Sequence, residues 1–159
     1  MTQMPSAGAG SAYAPNFVSQ FSVFLENRVG KLLELVKAFD DQMVRICALA
    51  VHDSSDHAVI RLVTSNHVAA REVLGKQGLT FFETEILVVE FGGDKTLHRM
   101  CQFLLGAELN IRFSYPIMGW GEHGAVIALA VDDPTLAAQI LRRKEFRLLC
   151  EEELPRFGE

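Results

Sequence analysis

The sequence lacks the features that announce catalysis, membrane insertion or a disulfide scaffold. No apolar run in it approaches the ~20 residues that a bilayer-spanning helix needs. It contains no G-x-x-x-x-G-K phosphate loop, no G-x-S-x-G nucleophile elbow and no glycine run of the dinucleotide-binding kind. His52, His57, His67, His98 and His123 never stand in the H-x-x-x-H spacing that puts two metal ligands on one helix face. Cysteine is sparse, with Cys47, Cys101 and Cys150 far apart and no C-x-x-C pair. All three lie in apolar segments, which predicts buried free thiols and a reducing, cytoplasmic setting. Positive charge is also in deficit: 15 Lys and Arg against 20 Asp and Glu leave a net charge of -5. That balance argues against general nucleic-acid binding, which needs clustered cations on phosphates. The one basic cluster, Arg142, Arg143 and Lys144 with Arg147, falls at a predicted helix end, where cations complement the helix dipole.

What the chain does have is a globular composition, 49% hydrophobic and 22% charged over 159 residues. Residues 1–16 are rich in Gly, Ala, Ser and Pro without the basic start and apolar core of a signal peptide, and are expected to form a flexible tail. From Phe17 to Leu25 apolar residues alternate, which predicts a strand. Leu32, Leu35, Val36 and Phe39 then recur at helical spacing, with Lys31, Glu34 and Lys37 on the other side. Val44 to Val51 and Ala58 to Val63 read as strands around the turn-forming Asp53-Ser54-Ser55-Asp56. Thr64-Ser65-Asn66 offers caps for a second helix carrying Val73 and Leu74. A long extended stretch from Thr80 to Phe91 contains Glu83-Thr84-Glu85, and the reading divides it there into two strands.

The order strand, helix, strand, strand, helix, strand then repeats. The second round uses a helical face at Leu97, Met100, Cys101 and Leu104, strands at Leu109 to Met118 and Gly124 to Val131, a helix opening at Asp133-Pro134, and a closing strand at Phe146 to Cys150. Letters match as well as order. "LTFFETEIL" from Leu79 aligns with "FRLLCEEEL" from Phe146, an offset of 67, and "VRICALAV" from Val44 with "LNIRFSYP" from Leu109, an offset of 65. We read an internal duplication, with repeats at 17–84 and 85–159.

A βαββαβ unit folds as a four-stranded antiparallel sheet with both helices on one face, the ferredoxin-like arrangement. The fold class expected is therefore α+β. Two units side by side, joined at the edges Val44 to Val51 and Leu109 to Ile117, would give an eight-stranded antiparallel sheet with four helices on one face. Val18 and Phe24 alternate with the other apolar set of their strand, so both sheet faces carry apolar residues. An open apolar face predicts a homodimer.

One turn stands out. "FLENRVGKLLEL", Phe24 to Leu35, passes from strand to helix through Glu26-Asn27-Arg28-Val29-Gly30. Such a turn aims several unshared backbone N–H groups at one spot and adds the positive end of a helix dipole, a combination that binds anions such as a carboxylate.

The stretches "FSVFLENRVGKLLELVKAF", "VRICALAVHDSSDHAVIRLV" and "FFETEILVVE" resemble a tandem ACT-domain protein, and the likeness in element order runs from Phe17 to Leu154. Two positions depart from the family pattern. Val29 stands where Pro usually precedes the glycine, and Lys95 stands where the second repeat would need the glycine matching Gly30. The resemblance implies a non-enzymatic regulatory protein that binds a small effector, usually a free amino acid, with no cofactor and no metal. Its ligand residues would be Asn27, Arg28, Val29 and Gly30, with acceptors for the amino group on the facing strand at Ile111, Phe113 and Tyr115. A second, weaker site would involve Gly92, Gly93 and Asp94. Partners would be the amino acid, a second copy of the chain, and an enzyme or regulator acting in trans, with neither nucleic acid nor membrane. The alternative is an ACT-type regulatory subunit of a biosynthetic enzyme such as acetolactate synthase. A small ferredoxin-like enzyme and a ligand-free assembly module are the rivals from other classes.

Overall fold

In the computed structural model, residues 17–119, 124–156 and 158 are described. The expected tail lies outside them. The elements are β1 (Val18–Glu26), α1 (Lys31–Asp41), β2 (Ile46–Asp53), β3 (His57–Thr64), α2 (His67–Lys76), β4 (Thr80–Glu90), α3 (Leu97–Gly106), β5 (Ile111–Pro116), β6 (Val126–Val131), α4 (Pro134–Arg143) and β7 (Arg147–Leu149). A single 3-10 turn, Glu151–Glu153, follows.

The strands form one antiparallel sheet in the order β2-β3-β1-β4-β6-β5, with β7 also pairing β4. Among the described residues seven strands stand where eight were expected, because Glu83-Thr84-Glu85 does not break the chain. β4 runs unbroken for 11 residues and serves both halves. Thr80 to Ile86 pair with β1, and Leu87 to Glu90 pair with β6. The polar residues are accommodated by partners: Glu83 takes two hydrogen bonds from Arg71, both at 2.9 Å, and Thr84 accepts one from Gln20.

Side-chain alternation divides the interior into three cores. Phe21, Val23 and Leu25 of β1 pack with Ile60 and Leu62 of β3 against Leu35 and Phe39 of α1 and Val73 and Leu74 of α2. Leu87 and Val89 of β4 pack likewise with Leu129 against Met100 and Leu104 of α3 and Leu141 of α4. The third core contains the residues in between, Val18, Val63, Ile86 and Val88, together with Tyr115, Val126, Ala128 and Leu149 from the second half. The helix-free faces of the two halves therefore lie against each other. All four helices ride on the outside of a sheet that curls onto itself. At the free edges, the Met118 amide donates to the Cys47 carbonyl at 2.7 Å, so the end of β5 reaches the start of β2.

This corrects the side-by-side arrangement. The halves are joined through β4, and the apolar face that was to be covered by a second chain is covered largely from within. The expectation of three buried thiols is corrected too: Cys47 is buried, Cys150 is half-buried and Cys101 is exposed on α3. Burial pushes the Cys47 thiol up to about 11.

The buried polar groups of the third core are mostly satisfied. The Tyr115 hydroxyl donates to Gln20 Oε1 at 2.6 Å, and Gln20 Nε2 donates to Ser22 and Thr84 at 3.3 and 3.2 Å. Burial raises the Tyr115 phenol well above its usual range.

Candidate ligand-binding site

The glycine that closes the β1–α1 turn is there for its backbone. Gly30 has φ 88 and ψ -14, the left-handed region, and nothing lies within 4 Å of where a Cβ would point. The turn is held on one side only. The Asn27 amide donates to the Asp56 carbonyl at 3.3 Å, and its side-chain nitrogen donates to Asp53 Oδ1 at 2.7 Å, tying the turn to the β2–β3 hairpin. The Arg28 amide donates to the Glu26 carbonyl at 2.8 Å, and the two side chains form an exposed ion pair at 2.8 Å.

The amides of Val29, Gly30, Leu32 and Leu33 meet no acceptor among the described residues, and α1 has no side-chain cap. The other helices begin differently. Asn66, Thr96 and Asp133 accept from the amides of Ala69, Arg99 and Leu136 at the starts of α2, α3 and α4. The start of α2 is also held by Glu151, which accepts from the His67 amide at 2.7 Å. So of the four, α1 alone presents its positive end uncapped.

Beside that end lies a cleft of about 650 Å³, lined by Glu26, Lys31, Ser54 and His57 as polar groups and by Phe24, Val59 and Leu79 as apolar ones. A carboxylate (Glu26), an ammonium (Lys31) and an apolar floor occur together there, next to the uncapped helix start. Zwitterions with an apolar side chain fit that chemistry. A smaller cavity of about 370 Å³ lies between α1 and β2, lined mainly by Val36, Ile46, Leu49 and Met118.

Asn27, Arg28, Val29 and Gly30 form the turn beside the cleft without lining it, with Val29 fully exposed. Asn27 acts on the hairpin rather than on open space. Ile111, Phe113 and Tyr115 do not join them, and none lines the cleft. Tyr115 and Phe113 face the third core, while Ile111 packs on the helix side, because β5 is irregular between Ile111 and Phe113. The Gly92-Gly93-Asp94-Lys95 turn is closed on itself: Gly92 and Lys95 exchange backbone hydrogen bonds of 3.1 and 2.9 Å, and Thr96 already caps α3. Asp94 pairs with Lys95 at 3.3 Å and Arg99 at 3.5 Å, and the Lys95 hydrogen bond lowers its pKa. An acidic, closed turn is no match for the open one at Gly30. Sequence reasoning missed Glu26 and Lys31; their signal was opposite charges flanking the turn at its strand and helix ends. Among the described residues no group of three His, Cys, Asp or Glu could hold a metal, and no helix is long and apolar enough to cross a membrane.

Among the described residues, the chain carries four helices on a mostly antiparallel sheet, with one strand-to-helix turn left uncapped. The chain is a member of the ACT domain pair family, whose model matches residues 16–157. An ACT domain pair is a regulatory module. Protein BT0572 from Bacteroides thetaiotaomicron is similar in structure with a TM-score of 0.78 at 19% identity, over 87% of this chain and 96% of that one. The regulatory subunit of aspartate kinase from Thermus thermophilus, in ligand-free form, superposes with a TM-score of 0.57 at 8% identity, over 82% and 93% of the two chains. Its counterpart from Thermus flavus gives 0.54 at 12% identity, over 82% and 90%. At these identities the likeness is one of fold. No curated protein sequence matches the chain.

Proposed function

We propose that this ACT domain pair is a non-enzymatic sensor of a free amino acid, bound at the β1–α1 corner. The observation that carries the reading is the uncapped start of α1 beside a cleft that holds both charges a zwitterion needs. The α-carboxylate lies on the amides of Val29, Gly30, Leu32 and Leu33 beside the Lys31 ammonium. The α-ammonium lies on Glu26, which takes the place first assigned to carbonyls of β5. The side chain rests on Phe24, Val59 and Leu79, favouring an apolar amino acid of medium size. Asn27 holds the corner in place through Asp53.

Binding would exchange the Arg28–Glu26 and Lys31–Glu34 pairs, both exposed, for contacts to the ligand. It would also couple α1 to the β2–β3 hairpin and the α2–β4 turn, which together line the cleft. A partner that distinguishes the stiffened form reads the signal. That partner acts in trans, an amino-acid biosynthetic enzyme or a regulator, and the sensor works in the cytoplasm.

A thermal-shift screen with the twenty amino acids tests the reading. A ligand at a hundred times its Kd stabilises by roughly 2.7 kcal/mol, a rise of about 5–11 °C at roughly 2–4 °C per kcal/mol for a chain of this size. Stabilisation by one or a few related amino acids, lost in Lys31→Ala or Glu26→Ala, is the expected result. No shift with any of them refutes it.

A further inference from the structure

The curled sheet leaves one end of its inner face uncovered, and cross-strand register places the residues there. Ala50, Arg61, Ser22 and Phe82 form one row across β2, β3, β1 and β4. Val59 and Phe24 stand in the next row outward. Burial falls along this direction. Val63 and Gln20, one row inward, are 0% exposed, Ser22 and Arg61 are half-buried, and Phe82 is 62% exposed. The second half of the chain ends its cover at Phe113, whose ring lies 3.9 Å from the Arg61 guanidinium carbon. The result is a mouth with an aromatic roof and an aromatic lip, since Phe24 and Phe82 meet edge to face at 5.7 Å.

Arg61 stacks its guanidinium face on Phe113 but leaves its donor edge unused. It forms no ion pair with any described residue, and its buried Nε has no hydrogen-bond partner among them. A half-buried guanidinium without a counter-ion is costly, and planar N–H donors of this kind match a carboxylate two at a time. A second donor is aligned beside it. The Tyr115 hydroxyl donates to Gln20, and Gln20 donates to Ser22 Oγ, so the Ser22 oxygen is used as an acceptor and its own proton is left to donate outward. Ser22 is the direct cross-strand neighbour of Arg61. Nothing in the two rows is acidic; Glu26 stands one row farther out, where it pairs with Arg28.

The geometry points to a carboxylate receptor at this mouth, taking a small monocarboxylic acid with an aromatic or branched apolar group. Arg61 and Ser22 hold the carboxylate, and Phe113, Phe24 and Phe82 enclose the apolar part. This site adjoins the β1–α1 corner, whose cleft shares Phe24 and Val59, but it has its own carboxylate donors in Arg61 and Ser22: the corner selects amino acids, the mouth selects acids without an amino group.

Phenylacetate is the probe. Titrated into the full chain and followed by backbone amide shifts, it is expected to bind saturably, with the largest shifts at Ser22, Arg61 and Phe113. Arg61→Gln is expected to weaken binding at least tenfold, Phe82→Ser several-fold, and Gly30→Ala not at all. Phenylalanine, with its ammonium, should bind the mouth more weakly than phenylacetate. Absence of saturable binding, equal affinity in Arg61→Gln, or shifts confined to the residues around Gly30 each overturn the proposal. Should Arg61→Gln fail to fold, Phe82→Ser and the wild-type shift map decide by the same criteria. The amino-acid sensor reading survives any of these failures, because phenylacetate lacks the group that Glu26 would hold.

Discussion

Tyr115→Phe isolates a single hydrogen bond in the core that joins the two halves of the chain. Phenylalanine keeps the ring and its packing, so the area buried is unchanged and only the hydroxyl is lost. That hydroxyl donates at 2.6 Å to the oxygen of Gln20, whose side chain is inaccessible to water. Without the donor, a buried acceptor goes unsatisfied, at a cost of about 1–3 kcal/mol. At roughly 2–4 °C per kcal/mol, the melting temperature drops by about 2–12 °C. Gln20→Leu strands the hydroxyl instead and also removes the donors to Ser22 and Thr84. Once one partner is gone the other has less to lose, so the double variant should be less destabilised than the sum of the singles, by about 1 kcal/mol or more. Urea unfolding followed by far-ultraviolet circular dichroism gives all three values. Additive effects, or a Tyr115→Phe cost below about 0.5 kcal/mol, the range of an ordinary surface change, would show that the two sheet faces do not meet as described.

Other outcomes follow from the same structure. Because burial raises Cys47 from 9.0 to about 11, the folded state holds its proton more tightly than the unfolded state. Its contribution is complete below pH 9.0 and is lost as pH rises toward about 11, so alkaline unfolding curves should be shallower in Cys47→Ala. Alkylation at neutral pH should label exposed Cys101 first and leave buried Cys47 until the chain opens, which peptide mass spectrometry reads directly. Gly124→Ala forces a left-handed backbone on alanine, φ 95, with its Cβ driven against the Phe91 carbonyl oxygen. The conformation alone costs about 1–2 kcal/mol, and the total measured in urea should exceed it. Asp133→Ala removes the cap that accepts from the Leu136 amide and should cost about 0.5–2 kcal/mol.

Local signals told most of the fold. Asp133-Pro134 opened α4 and Asn66 capped α2, each written in one or two residues. The 3.6 and 2.0 periods placed the elements in order, and the βαββαβ duplication followed from that order. Two features were not legible. Glu83-Thr84-Glu85 looks like an interruption because charges usually end strands, yet here Arg71 and Gln20 supply partners from other elements. The second apolar face of β1 was visible at Val18, but whether its cover comes from the same chain or another depends on how far the sheet curls, which no local pattern encodes. The corner was legible through Gly30, whose left-handed conformation the turn demands. The tie from Asn27 to Asp53 was not, since it joins residues 26 apart through the hairpin.

The central claim rests on unshared amides at the start of α1. Amide chemical shifts recorded while the amino acid selected by thermal shift is titrated into the full chain test it most directly. The account predicts saturable shifts concentrated on Val29, Gly30, Leu32 and Leu33, with those of the capped starts of α2, α3 and α4 unmoved. Saturable shifts elsewhere, with these four amides silent, would contradict it.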